Sequence, residues 1–594
     1  MISLTNKIGY QNVFLASIKN KFMQTQSILR ISLAVILLAM LASCKSNKQG
    51  RYIPKDAAAV IVADGKSLSS KLSWDEVKQN PELQKMLLDS ETPANIKSIL
   101  NNPDSSGIDM QSDIIFFIEK DSIGSYLSVE GTIKDRALFK NFIHQMDSTG
   151  TETQVDDISF KSHYPSCLGW DKEKFVFVFD APSFGNMNAS LSQRMMNDSI
   201  GASHSRDIGA TCKSIFALEA SNSLAKNDKF GKLIKETGNI HFWIDSGELY
   251  SQMPMFSSGP MAMLNLDDFY KDNITTATLS FENGKISLNS TSYMSERMLA
   301  FYKLYVNGKI NEDMIQRMPG KDVDGVIAVN FKPDGIKELL KQLNIDGMAN
   351  GGLKQLGLTT DDIINAFKGD FLFGASDFSI KVDSEENTFS GSTYKYPKQT
   401  KQGNFIFAAS IGDKDDFNKI FSIANKLIGQ SMSDDSAATL PFSMDNNGTY
   451  FVISNTKDNT SQYLAGPNST KFDFINNING QPFGAYFNLQ SFIKAAGSFI
   501  DNDSASQAIY DASLKMWNNV YIRGGSIDGD VSTGTLEINL VNNSTNSLKQ
   551  LSQYISKISG IIKEKKDKME AEEEKGMKAD SAVMVVPPTG GDSN

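Results

Sequence analysis

The chain is poor in the residues that most metal and redox chemistry requires, with three cysteines and four histidines in 594 residues. It has no basic excess: its formal charge is −10, which argues against a cationic face for nucleic acid or anionic lipid. One apolar run stands out, Ile31–Ala42. It falls short of the about 20 residues that a membrane-spanning helix needs, and no later stretch approaches that length. Catalytic signatures are missing as well, with no His-Glu-x-x-His and no Gly-x-Ser-x-Gly. Gly65-Lys66-Ser67 has the end of a phosphate-binding loop, but Val60 stands where the first glycine must be, and the backbone cradle depends on that glycine. His144, His163, His204 and His241 show no metal-ligand spacing. Asp501-Asn502-Asp503 and Asp528-Gly529-Asp530 lack the further ligands of a calcium loop and read as Asx turns. Met253-Pro254-Met255 and Met261-Ala262-Met263 have the thioether spacing that suits Cu(I), yet methionine more commonly fills gaps, and no cysteine or histidine lies nearby. These absences predict no cofactor and no metal, and lean away from an enzyme.

What is present begins with an address. Lys7, Lys19, Lys21 and Arg30 precede the apolar run, no acidic residue occurs before Cys44, and the run ends in Leu41-Ala42-Ser43-Cys44. A basic region, a short apolar core and small residues at the cut make a secretory signal over residues 1–43. The tetrapeptide resembles the bacterial lipobox, which implies cleavage before Cys44 and acylation of its sulfur. Met23 would open a signal of ordinary length, so the start codon is Met1 or Met23. Cleavage removes four basic residues and moves the charge from −10 to −14. Residues 44–51 form a short tether of at most roughly 30 Å, which keeps the body close to the membrane. Cys167 and Cys212 remain, in an extracytoplasmic compartment where a disulfide persists; a bridge and two packed thiols are both open, because sequence does not supply the Cα separation.

The body reads as α+β, two tandem copies of a mostly antiparallel sheet-plus-helices unit over residues 52–310 and 318–562. The same order of elements recurs. Ala57–Ala63 is echoed by Val326–Phe331, Ile114–Ile118 by Phe371–Gly374, and Val129–Met146 by Phe407–Leu427. Phe175–Phe179 matches Tyr450–Ser454, Phe216–Leu224 matches Phe483–Phe492, and the hairpin Thr275–Tyr293 around Asn283-Gly284 matches Val520–Asn542. Ser214–Glu219 reads as a strand. Each copy ends in a helix, near Glu296–Tyr305 and Leu548–Ile562. Residues 563–594 form a charged tail, able to extend the last helix, that passes into a disordered end.

The lipobox, Tyr52-Ile53-Pro54-Lys55-Asp56-Ala57, Asp64-Gly65-Lys66-Ser67-Leu68 and Lys71-Leu72-Ser73-Trp74-Asp75-Glu76 together resemble a family of uncharacterised Bacteroidetes lipoproteins, a domain of unknown function. The resemblance covers nearly the whole mature chain and implies a location without an activity. Surface-displayed members of that group have an acidic cluster after the cysteine. Lys45-Ser46-Asn47-Lys48-Gln49 departs from it, which implies an outer-membrane anchor with the body facing the periplasm. The Asp-Ser pattern that such bacteria O-glycosylate marks Ser122, Ser148, Ser199, Ser436, Ser504 and Ser581 as candidates. The expectation is a non-catalytic envelope protein that binds or scaffolds, held to the membrane through Cys44. An envelope protein is the candidate partner, the ligand is unknown and no nucleic acid is involved. The alternatives are an envelope hydrolase with a dispersed site and a surface glycan- or substrate-binding lipoprotein.

Overall fold

The computed structural model describes residues 50–88, 92, 94–121, 123–146, 150–181, 206–251, 270–306, 308–343, 345–389, 392–431, 442–497 and 503–583. Its first strands are β1 (Ala59–Ala63), β2 (Ile114–Lys120), β3 (Ser125–Thr132), β4 (Thr151–Val155), β5 (Ile158–His163) and β6 (Ser166–Trp170). Next come β7 (Lys174–Asp180), β8 (Ile240–Asp245), β9 (Ile274–Glu282), β10 (Lys285–Tyr293), β11 (Val323–Asn330) and β12 (Phe367–Phe389). The last are β13 (Ser392–Ile411), β14 (Ser443–Asn446), β15 (Tyr450–Ser454), β16 (Phe483–Asn488), β17 (Trp517–Asp528) and β18 (Val531–Leu540). The helices that matter below are α1 (Gly65–Lys71), α2 (Trp74–Val77), α3 (Pro81–Leu88), α4 (Arg136–Met146), α5 (Ile208–Phe216), α6 (Asp228–Leu233), α7 (Glu296–Tyr305), α8 (Lys414–Ser431) and α9 (Ser547–Val583).

The strand pairings are all antiparallel and link into one path. From one edge it runs β4-β5-β6-β7-β3-β2-β1-β8-β9-β10. It then crosses to β18 and continues β17-β16-β11-β12-β13-β15-β14. The crossing is a full ladder from Lys285↔Asn539 to Tyr293↔Val531. Both strands belong to tight hairpins: Gly284 turns the first with φ +65° and Gly529 the second with φ +64°, the conformation that glycine enters without a Cβ penalty.

Strand alternation gives the sheet two chemically different faces. On the inner face Val60, Val62, Ile115, Phe117, Val176 and Trp243 form a core with α5, α6 and Ile53. Val326, Leu372, Ala408, Val452 and Tyr463 form a second one in the other half. The outer face is also apolar. There Ala63, Phe281 and Ile286 pack under Leu68 of α1, Leu72 at its C-cap, Val77 of α2, Leu83 of α3 and Leu548 of α9. Phe139 and Ile143 of α4 cover Phe175 and Trp170, and Phe417 of α8 covers Ile411.

Most of the expected elements lie where the periodicity places them, including the Ser73 capping box with Glu76. Two differ. Ser214–Glu219 is no strand: Ile208–Phe216 is a helix capped by Asp207, whose side chain accepts from Ala210 N, and its apolar residues recur at helical spacing on the core side. The strand equivalent in sheet position to β16 is therefore β8, not Phe216–Leu224. The last helix runs to Val583 rather than Ile562, so the charged part of the tail is helical, and residues 584–594 lie outside the described residues. That helix folds back on the start of the body, where Asn80 Nδ2 donates to Ser556 Oγ at 3.0 Å and Lys549 pairs with Glu76.

Leu548 is 3% exposed and sits between α1 and the β9–β10 hairpin. Leu548→Ala is expected to lower unfolding free energy by about 2–4 kcal/mol, the usual cost of a buried leucine cavity. Urea unfolding followed by the fluorescence of Trp74, which packs on the same cluster, measures it. A loss under about 0.5 kcal/mol would mean α9 does not secure the N-terminal helices.

Candidate functional site

The seam between the two halves of the sheet carries a hollow on its outer face. Its floor is built from short side chains: Ser290 of β10 lies opposite Gly534 of β18, which lies opposite Gly524 of β17. A Cβ on Gly524 would meet backbone at 2.8 Å and one on Gly534 would meet Ser290 Oγ at 3.0 Å, so the floor stays low. Leu288, Leu536 and Ile522 rise beside it on the same face, together with Phe483 of β16 and Val329 of β11. The wall is the end of α7, Tyr302, Tyr305 and Val306, and the cavity so enclosed has a volume of about 390 Å³. That is at the lower end for a small-molecule site.

The wall is fixed by backbone bonds. Ser295 caps α7 by accepting from Met298 N, Val306 bridges Phe331, and Lys332 N donates to Tyr305 O at 2.6 Å. Burial pushes both tyrosine phenols above their ordinary value, Tyr302 with a further push from Tyr305. Both are therefore neutral at physiological pH and add no charge to the cavity. Arg523, between Ile522 and Gly524, alternates to the opposite face with Tyr521. The cavity is thus mainly apolar with aromatic walls, and its polar groups are few: Ser290 on the floor, and Asn330 and Thr535 in the lining, with Asn330 Oδ1 buried and without a hydrogen-bond partner among the described residues.

Rings lead away from it across the second half. Tyr305 stacks on Phe331 (centroids 5.1 Å, planes 10° apart), Phe331 on Phe371 (5.2 Å, 11°), and Phe371 on Phe407 (6.2 Å, 27°). Phe407 meets Phe373 at 4.9 Å, inside a second depression of about 510 Å³ lined by Ile327, Phe373, Phe405, Phe407, Ile453 and Phe487. Phe373 and Phe405 are 53% and 48% exposed there. Large apolar groups left in water over a contiguous patch mark a surface that something else covers.

Titratable groups gather elsewhere and have structural partners. Arg206, buried, donates from Nε to Asp180 at 2.9 Å and from its terminal nitrogens to Asp121 and to Gly124 O, and lies 5.0 Å from the Tyr126 ring. Burial alone would raise the Asp121 carboxyl, but the Arg206 hydrogen bond and charge, together with the Ile123 and Gly124 amides, hold it below its ordinary value. Tyr126 donates to Glu119 at 2.5 Å. Glu130 is fully buried, its Oε1 3.5 Å from Lys174 Nζ, and burial raises its carboxyl. A nucleophile, a base and an oxyanion donor do not converge at either hollow. Among the described residues no three His, Cys, Asp or Glu side chains gather in a metal-binding group.

Of the residues singled out from the sequence, Cys44, Ser122, Ser148, Ser199, Ser436, His204 and both Met-x-Met pairs lie outside the described residues. Ser504 is exposed at the first turn of the helix Ser504–Met516, and Ser581 lies in α9. Asp503 caps that same helix, and Asp528-Gly529-Asp530 is the β17–β18 turn. Gly65-Lys66-Ser67 opens α1 under the Asp64 cap. His144 faces Glu152 at 3.7 Å on the surface, while His241 is buried and its Nε2 lies 3.1 Å from Glu236 O. Cys167 and Cys212 are brought together: both are buried and unbridged, and Cys212 donates toward Val176 O at 3.8 Å. A hydrogen bond from Cys212 lowers the Cys167 thiol, and that same bond together with burial raises Cys212. A cleft between the two halves is the ligand site that a duplicated body suggests, but none of the residues lining the seam cavity stands out in the sequence. The cavity's signal was the alternation of small and apolar residues in Leu288-Asn289-Ser290 and Gly534-Thr535-Leu536.

The model of a family described as "Domain of unknown function (DUF4836)" matches residues 50–460, and the chain belongs to that family. No curated protein matches the chain. Among solved structures, crystal form III of TP0453 aligns with 10% identity over 45% of this chain and 89% of that one, at a TM-score of 0.23. Crystal form I aligns with 12% identity over 43% and 81%, at a TM-score of 0.22. Such similarity is too low to transfer a fold or a function. Among the described residues no helix is long and apolar enough to cross a membrane.

Two half-buried acids give the first half a pH signature. Burial, reinforced by Asp64 and Glu130, pushes Asp113 up to about 7; burial, reinforced by Asp56 and Asp121, pushes Glu119 up to about 7. Their folded values lie above the unfolded ones near 4, so the protonated acids contribute stability that is full below about pH 4 and is lost as pH rises through 7. Asp113→Asn with Glu119→Gln is expected to flatten this decline and to leave the protein about 1–3 kcal/mol more stable than wild type at pH 7.5. Urea midpoints at pH 4.5 and 7.5 test it; parallel shifts at both pH values would contradict the assignment.

Proposed function

We propose that this DUF4836 member is a non-catalytic, lipid-anchored protein of the cell envelope that binds an apolar ligand on the outer face of its sheet. The observation that carries this reading is the pair of apolar hollows on one face, joined by the stack Tyr305–Phe331–Phe371–Phe407. A ligand with an acyl chain or a flat ring system would replace water over that strip, and apolar area removed from water is favourable at about 25 cal/mol per Å². The anchor in this reading is acylated Cys44 at the outer membrane. The lysine-bearing segment after it supports a body that faces the periplasm, with an envelope protein as a further partner.

The reading also takes the body as two tandem copies, residues 52–310 and 318–562. What supports it is the strand order outward from the β10–β18 ladder. One side reads β9-β8-β1-β2-β3-β7 and the other β17-β16-β11-β12-β13-β15, in step with five of the six sequence echoes. The seam is then the natural ligand site, being the interface of two domains. A surface glycan-binding lipoprotein is the second reading, favoured by the exposure of Phe373 and Phe405. Protease treatment of intact cells separates the two, since cleavage requires surface display.

Leu288 lines the seam cavity, opposite Leu536 and beside the low floor. Leu288→Arg is expected to weaken binding of a fluorescent long-chain acyl probe at least about tenfold while the circular dichroism spectrum stays unchanged. Phe405→Ser, in the exposed depression, serves as the second variant. Absence of saturable binding to the wild-type protein, or equal affinity for wild type and both variants, would remove the apolar-ligand reading.

A further inference from the structure

Cys167 lies on β6 and Cys212 on α5, and this pair forms the heart of the contact between that helix and the sheet. Cys167 is 1% exposed and Cys212 0%. On β6 the side chains of residues 167 and 169 share one face. A Cβ built on Gly169 would come within 3.0 Å of Cys212 Sγ, so the missing side chain is what lets the Cys212 sulfur settle beside Cys167. Both thiols lie in one buried cluster, close enough that each shifts the other's ionisation, and Ile208, Ile215 and Phe216 on the same helix seal it from water. Apart from Cys44 these are the only cysteines in the chain.

We propose that Cys167 and Cys212 are joined by a disulfide that staples α5 to β6. The inference rests on the envelope location proposed above, because a compartment outside the cytoplasm lets the bond persist. The oxidant is a small-molecule or protein disulfide. One cysteine thiolate attacks a sulfur of that disulfide and expels a thiolate; the second cysteine, deprotonated, displaces the resulting mixed disulfide and expels the other. The pair loses two protons and two electrons, and the oxidant leaves as two thiols. Both sulfurs are closed to solvent in the folded body, so the exchange takes place while the chain folds, before α5 seats. The bond closes a loop that holds residues 168–211, and cross-linking a loop of that size restricts the unfolded chain.

Protein extracted from cell membranes is denatured with a thiol-alkylating reagent and no reductant, digested and weighed. A linked peptide pair containing Cys167 and Cys212, 2 Da lighter than the two thiol peptides together on the order of one disulfide's hydrogen loss, is the expected result. The Cys44 peptide in the same digest reports acylation, so failure of the location and failure of the bridge are read separately. A second arm refolds the full chain carrying Cys44→Ser in a glutathione redox buffer. The same linked pair is expected there, with a melting temperature about 5 °C above that of the reduced protein and no effect of reductant on the Cys167→Ala/Cys212→Ala variant. Alkylation of both cysteines in membrane-extracted protein whose Cys44 is acylated would overturn the proposal. So would refolding to two thiols or two glutathione adducts.

Discussion

The antiparallel ladder between β10 and β18 is the constraint on which the rest of the body depends. Each strand is the second arm of its own hairpin, and each would otherwise present a row of unpaired backbone groups as a sheet edge. Pairing them satisfies both edges at once and turns two sheets into one. Register follows from alternation: Ile286, Leu288 and Ser290 come to lie opposite Ile538, Leu536 and Gly534, with the apolar side chains on one face. A shift by one residue would bring Asn289, Thr291 and Glu537 to that face, which packing under α1, α9 and α7 does not allow.

The same ladder accounts for the hollow at the seam. Helices cover the outer face at both ends of the sheet and along the β9–β10 hairpin, but the strip over Ser290, Gly534 and Gly524 is too low to meet the Tyr302 and Tyr305 rings. Beyond it α8 packs on the far edge, over Phe417 and Ile411, while Phe373 and Phe405 stay half exposed. Apolar surface of this kind costs free energy in water, a cost that the ligand proposed above would offset. The charged networks have the opposite character. Arg206 with Asp121 and Asp180 is closed on itself and holds the chain around Gly124 in place.

Much of the fold is legible in the sequence. Lys174–Asp180, Ile240–Asp245 and Glu296–Tyr305 fall where hydrophobic periodicity puts them, because alternation and helical spacing are local properties. Ser214–Glu219 misleads because a short apolar run does not distinguish a buried strand from the buried side of a helix. The Asp207 cap seven residues earlier decides for the helix. The candidate site is hardly legible at all. Ser290, Gly524, Gly534 and Tyr305 are unremarkable one by one, and only long-range pairing sets them around one space.

The sequence by itself determined the α+β character, the place of most strands and helices, and the identity of the three cysteines, since each depends on residue type and near-neighbour spacing. Tertiary structure alone decided that β10 meets β18, that Cys167 and Cys212 share one buried cluster, and that small residues at the seam leave a cavity rather than a filled core. Those outcomes depend on contacts between residues far apart along the chain, such as Ser290 and Gly534. No local pattern encodes the distance between two such residues before the chain has closed on itself.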